Sequence, residues 1–195
     1  MTKSFEFYFD FASPYAFLAH KQIRDFEKKN SIKIKYMPIL LGALLKSAGI
    51  KPNADIPIKG KYMIKDCKLW AEKYNITFKF NNYFPINTLN LMRCVLVAER
   101  KKNSQNFINK VFEAVWRYGL NLNDNVIVEK LLKNIDINPK TFLIEAVDAK
   151  IKDDLKKKTE EAFNKGVFGV PSFIVNNKLF WGQDRLEFVF NEANK

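Results

Sequence analysis

The chain has 195 residues, of which 47% are hydrophobic and 28% charged, and it carries a formal net charge of +12. That length and apolar content suit one sizeable core with room for an inserted subdomain, and they exclude a disordered or fibrous chain. No stretch reaches the ~18 consecutive apolar residues of a membrane span, and MTKSFEFYFDF lacks the parts of a signal peptide, so a cytoplasmic setting is expected. The excess of lysine and arginine would suit nucleic acid. Here, though, the lysines are scattered singly or in short runs on polar helix faces, and no zinc-finger or RNP-type motif is present. Neither nucleic acid nor membrane is expected as a partner; such a surface gathers small carboxylates instead.

In chain order, SFEFYFD at 4–10 places large aromatics at Phe5, Phe7 and Phe9 with Tyr8 between, the pattern of a strand covered on both faces. Ser13-Pro14 then marks a helix start, Ser as N-cap and Pro at the first helical position, and Asn30 closes that helix. IKIKYMPIL at 32–40 alternates as a second strand, giving a strand–helix–strand unit and hence a parallel pair. From about 57 to 165 the period is helical, in segments near 57–74, 87–102, 104–118, 124–134, 139–147 and 150–165, with 74–84 as an extended connector. So many helices cannot all be crossovers, which predicts an inserted helical domain. SFIVNNKLFWG reads as a hairpin turning at Asn176-Asn177, and a last helix begins near 184. The order predicts an α/β, thioredoxin-like fold: 1–56 with 166–195 as the thioredoxin-like domain, and 57–165 as an inserted all-helical domain.

The candidate chemistry sits near the two ends of the chain. At Ser13 a hydroxyl and the free N–H groups of a helix start meet, a setting that favours an anion. A hydrogen bond to a charged acceptor is worth about 1.5–3 kcal/mol and a helix terminus about 0.3–2 kcal/mol, enough to lower a bound thiol's pKa by about 1–3 units. The plain alternative is an N-cap and nothing more. Ser13 does not read as a covalent nucleophile, because the one histidine, His20, lies two helical turns further on. Val170-Pro171 opens a strand; a cis bond there would leave the Val170 backbone free to pair with an extended peptide ligand. In WGQDR, Gly182 permits close backbone approach, while Gln183 and Asp184 could hold the amino and carboxylate ends of a γ-glutamyl group. Cys67 and Cys94 fall in separate helical patterns and form neither a redox pair nor a metal site.

Taken together, FYFDFASPYAFLAH and GVFGVPSFIVNNKLFWGQDRLEF, with IPIKGKYMIKD and FPINTLNLMR between them, resemble the 2-hydroxychromene-2-carboxylate isomerase family. That family is related to kappa-class glutathione transferases and to DsbA-type oxidoreductases, whose Cys-x-x-Cys is replaced here by Ser13-Pro14-Tyr15-Ala16. The resemblance implies glutathione as cofactor, with Ser13 on its sulfur. It also implies Val170 and Pro171 beside the cysteinyl part, and Trp181, Gly182, Gln183 and Asp184 at the γ-glutamyl end. It puts Lys46, Asn53, Lys59 and Phe84 among the substrate contacts, and implies a homodimer acting on an aromatic carboxylate or electrophile. Phe84 and Trp70 are expected to line a lid. Gly49 is followed by Ile50 where relatives often have Asn, which leaves the organic substrate open. Two rivals stay open beside the isomerase: a kappa-like transferase or peroxidase, and a non-catalytic thioredoxin-like binding module.

Overall fold

The computed structural model describes residues 3–30 and 32–195. A mixed four-stranded sheet runs in the order β2-β1-β3-β4, with β1 at Ser4–Phe9, β2 at Lys33–Pro38, β3 at Ser172–Val175 and β4 at Lys178–Trp181. The pair β1/β2 is parallel, as a strand–helix–strand unit requires, and β3 and β4 join antiparallel. Alternation along β1 splits its side chains between two layers. Phe5, Phe7 and Phe9 enter the main core, where Phe7 stacks on Phe9 and Phe173 at 5.5 and 5.4 Å between ring centres. Tyr8 points the other way, into a smaller cluster with Ile39, Leu44, Ala162, Val167 and Val170.

The helices are α1 (Pro14–Lys29), α2 (Leu41–Ser47), α3 (Pro57–Lys73), α4 (Leu89–Arg100), α5 (Ser104–Trp116), α6 (Asn125–Lys133), α7 (Pro139–Ala146), α8 (Ala149–Asn164) and α9 (Leu186–Ala193). The six helices between residues 57 and 164 lie within about two residues of their expected bounds. One core joins them to the sheet: Phe112 of α5 packs on Phe9 and Phe11 at 5.7 and 4.9 Å, and Trp116 Nε1 donates to the Phe11 carbonyl at 2.8 Å. At about 1.5–3 kcal/mol for each buried large apolar side chain, this shared aromatic seam ties the helical block to the sheet. The connector over 74–84 is neither helix nor strand; its Asn81 Nδ2 donates to the carbonyls of Val115 and Leu120, both at 2.9 Å. Asn176 and Asn177 make the hairpin turn with φ of 47° and 63°.

Helix α2 was not legible as a helix. It has seven residues and no side-chain cap of its own. Its start is held from elsewhere in the chain: Leu40 N donates to Thr159 Oγ1 at 3.0 Å and Leu41 N to Asp10 Oδ2 at 2.9 Å.

Candidate active site

The antiparallel register puts Ser172 opposite Tyr8, so the segment entering β3 lies beside the chain leaving β1. Ser13 and Val170 meet there. Ser13 is the N-cap of α1, 4% exposed, and its Oγ accepts from Ala16 N at 3.1 Å. The same hydroxyl donates to the Val170 carbonyl at 3.3 Å, a long and weak bond. The Tyr15 N–H, at the second helical position, has no partner within the helix. Val170-Pro171 is cis. Of the two Val170 backbone groups expected to be free, the carbonyl takes the Ser13 hydroxyl; the N–H has no backbone acceptor among the described residues. Phe84-Pro85 is also cis, which the sequence reading did not anticipate.

Strand β4 delivers the third piece. Trp181 pairs with Ser172, and Gly182 N donates to the Pro171 carbonyl at 2.9 Å, which fixes residues 181–184 against the cis bond. Gly182 has φ of +107°, and a Cβ there would stand 2.5 Å from Asp184 Oδ1. The positive φ is what favours glycine at that position, since the Asp184 carboxyl could turn aside from a Cβ. Gly169 is similarly tight, since a Cβ would meet Trp181 Nε1 at 2.8 Å. Asp184 pairs with Arg185 at 2.8 Å. Gln183 is 2% exposed, and among the described residues its Oε1 finds no donor. A buried amide oxygen with no partner costs about 1–3 kcal/mol, so a donor from a bound water or a ligand would be stabilising there.

These segments form one side of a cleft of about 990 Å³. Ser13, Val170, Pro171, Trp181, Gly182, Gln183 and Asp184 all line it, as do Asn53, Phe84 and Trp70. Lys46 and Lys59 do not. Lys46 lies on the exposed side of α2, whose Leu41, Gly42 and Leu45 face the cleft. Lys59 is exposed in the first turn of α3; the 3-10 turn Asn53–Asp55 packs on that turn, with Ala54 O 3.2 Å from a Cβ at Gly60, and it occupies the position beside the cleft. The cations that line the cleft are Lys51 and Arg185, neither of them singled out from the sequence.

Asp10 was also missed. It is buried, and its carboxylate accepts from Ala12 N at 3.0 Å, Leu41 N at 2.9 Å and Thr88 Oγ1 at 2.6 Å, joining the loop before Ser13 to the starts of α2 and α4. Burial raises its pKa while the three hydrogen bonds pull the other way. An acidic residue ending an aromatic strand was the only local signal. Tyr15 Oη donates to Asp66 Oδ2 at 2.8 Å, and both residues line the cleft; no motif marked that pair. Cys67 and Cys94 are buried, and burial above all pushes both thiols up to about 12, so each stays a neutral packing group. Among the described residues no cluster of metal ligands occurs, and no helix is long and apolar enough to cross a membrane.

Residues 5–193 match the family model described as the DSBA-like thioredoxin domain. The 2-hydroxychromene-2-carboxylate isomerase of Sphingobium xenophagum is 27% identical over 191 residues, covering 97% of each chain. Glutathione S-transferase kappa 1 of Rattus norvegicus is 23% identical over 198 residues, covering 94% of this chain and 88% of its own. Among solved structures, a 2-hydroxychromene-2-carboxylate isomerase superposes with a TM-score of 0.90 at 24% identity, over 98% of this chain and 94% of its own. The disulfide reductase DsbM of Pseudomonas aeruginosa, solved with GSH, superposes at 0.65 with 10% identity, over 98% and 94%. These last two likenesses speak for the fold.

Proposed function

We propose that this chain, which belongs to the DsbA-like thioredoxin family but has Ser13 and Ala16 where a Cys-x-x-Cys would stand, is a glutathione-dependent isomerase. Its substrate would be 2-hydroxychromene-2-carboxylate or a related aromatic-derived keto acid. The curated relatives named as isomerases support an enzyme of that kind. The observation that carries glutathione is the meeting, in one cleft, of the Ser13 hydroxyl, the unpaired Val170 N–H and the partnerless Gln183 Oε1. Those groups suit a peptide-like ligand: an extended backbone along Val170, a γ-glutamyl amine at Gln183 and Asp184, and a sulfur at Ser13.

When bound, glutathione supplies a sulfur nucleophile that adds to a conjugated carbon and leaves again without net oxidation. The chain's own work is to keep that sulfur ionised. Ser13 Oγ is already committed as acceptor to Ala16 N, so its proton is the part left for a ligand; the 3.3 Å bond to Val170 holds that proton only weakly. A thiolate acceptor makes the stronger bond, and the α1 start adds its partial positive charge. Met63, Trp70, Phe84 and Ile86 give the cleft an apolar wall for an aromatic ring.

The test is calorimetric titration with glutathione, then conversion of the cyclic acid to its open trans isomer followed by ultraviolet absorbance with and without glutathione. Conversion that depends on glutathione is the expected result. Binding without conversion, together with conjugation to an electrophile, would move the reading to transferase chemistry. Absence of binding at millimolar glutathione would leave a scaffold without this chemistry.

A further inference from the structure

The proposed reaction contains a step that thiolate support at Ser13 does not supply. A 2-hydroxychromene-2-carboxylate is a cyclic hemiketal, in which one carbon carries a hydroxyl, the ring oxygen and the carboxylate. Opening the ring removes the hydroxyl proton, turns that oxygen's electron pair into a carbonyl, breaks the bond to the ring oxygen and leaves the aryl oxygen to be protonated. One group that first takes and then returns a proton would serve both ends.

The sole histidine does not serve. His20 is buried in the core, with Nδ1 3.3 Å from the Tyr36 hydroxyl and its ring stacked on Phe112, and burial holds its pKa down at about 3. Four carboxylates line the cleft among the described residues: Asp10, Asp55, Asp66 and Asp184. Asp10 is filled by three donors, and Asp184 is paired with Arg185 at the end given to glutathione. Asp55 is exposed, with nothing among the described residues to hold it in place. Asp66 differs from all of these. It is half-buried on α3, within a turn of Met63 and Trp70 on the face lining the cleft. Its Oδ2 takes the Tyr15 hydroxyl at 2.8 Å, and its Oδ1 has no protein donor among the described residues.

We infer that Asp66 is the general base, and then the acid, of ring opening, and that Tyr15 is the positioning residue that holds it. This rests on the function proposed above. Asp66 Oδ1 takes the hemiketal proton as the carbonyl forms; the electron pair of the breaking ring C–O bond goes to the aryl oxygen, which receives the proton back from Asp66. Asp66 ends as it began, and neither oxidant nor reductant is consumed. Tyr15 fixes the carboxylate by donating to one oxygen, and so leaves the other for substrate. Tyr15 is itself a poor acid, because burial first, and then neighbouring Cys67 and Asp66, hold its phenol above the usual range. Tyr15 is separated from Ser13 by Pro14 alone, so the residue that supports the thiolate and the residue that positions Asp66 sit at the same end of α1.

The experiment compares two substrates: the cyclic hydroxychromene acid, and cis-benzylidenepyruvate, which lacks the aryl hydroxyl and cannot close a ring. Asp66→Asn should lower kcat for the cyclic acid by about 10²-fold or more and leave glutathione-dependent isomerisation of the open compound largely unchanged. Tyr15→Phe, which keeps the ring packing, should lower kcat for the cyclic acid by about ten- to a hundredfold with KM nearly kept, and spare the open compound. Should Asp66→Asn fail to fold, judged by its melting curve, Tyr15→Phe carries the test through the same substrate split. Equal losses on both substrates, or undiminished turnover of the cyclic acid, would overturn the inference. Wild-type protein inert toward both would overturn the function it rests on, and the inference with it.

Discussion

One side of the cleft is made of chain ends that meet, and the other of helix faces that happen to point the same way. On the first side, β1 runs into Ser13, the antiparallel register brings Val170-Pro171 against it, and β4 brings Gly182, Gln183 and Asp184 alongside. Backbone hydrogen bonds and a glycine at positive φ set these positions. On the second side, Met63, Asp66 and Trp70 come from α3, Phe84 from an irregular connector and Lys51 from the loop after α2. Packing, rather than a sheet ladder, places them. The backbone-built side suits a constant partner such as a peptide thiol, and the side-chain-built side suits an organic substrate that differs between relatives.

The largest effect that would break this division is at Ser13. Ser13→Ala should raise the pKa of enzyme-bound glutathione by about 1–2 units and slow thiol-dependent turnover by tens- to hundreds-fold at neutral pH, while glutathione affinity changes far less. Thiolate absorbance against pH reads the shift directly. The same substitution removes the cap on Ala16 N, worth about 1 kcal/mol, so the melting curve should fall too. A lower melting point with an unmoved thiol pKa would reduce Ser13 to a cap.

A smaller pair of effects sharpens the contrast. Gly182→Ala forces a left-handed φ on alanine and drives a Cβ to 2.5 Å from Asp184 Oδ1, so glutathione affinity should fall by about tenfold with kcat at saturation mostly retained. Trp70→Ala should do the converse: about tenfold weaker binding of the aromatic acid, from the lost apolar contact, with glutathione binding as in the wild type. Calorimetry on each variant with each ligand gives four numbers. If Trp70→Ala weakened glutathione as much as Gly182→Ala does, the two sides would not be separate.

The same contrast explains what could be read from the chain. Ser13-Pro14, Val170-Pro171 and the WGQDR turn announce themselves because each is a local backbone event: a cap and a first-position proline, a strand-opening proline, a glycine at positive φ. Helix α2 does not, because its start is held by Asp10 and Thr159 from distant parts of the chain. Asp66 sits among the lysines of α3 and reads as one more polar residue until Tyr15 is found 2.8 Å away. Which cation lines the cleft is hidden in the sequence for a related reason. Lys46, Lys51 and Lys59 are near one another in sequence and alike in chemistry, and only the 3-10 turn at Asn53–Asp55 decides which lies beside the cleft.

The smallest expected effect tests that last distinction. Lys51 lines the cleft, is exposed and makes no ion pair among the described residues, so its charge is free to meet a substrate carboxylate. Two unit charges about 4 Å apart are worth about 1 kcal/mol in bulk water and about 4 kcal/mol near a protein surface, and an exposed lysine belongs near the lower figure. Lys51→Ala should therefore raise KM for the aromatic acid by about threefold to tenfold at low salt, and the difference should shrink near 1 M salt, where the Debye length is about 3 Å. Lys46→Ala and Lys59→Ala remove the same charge from outside the lining and should leave KM near the wild-type value. If all three variants raised KM equally, the substrate would be sensing the general field of a chain with net charge +12 rather than one cation, and the side of the cleft facing α3 would be less specific than its geometry implies.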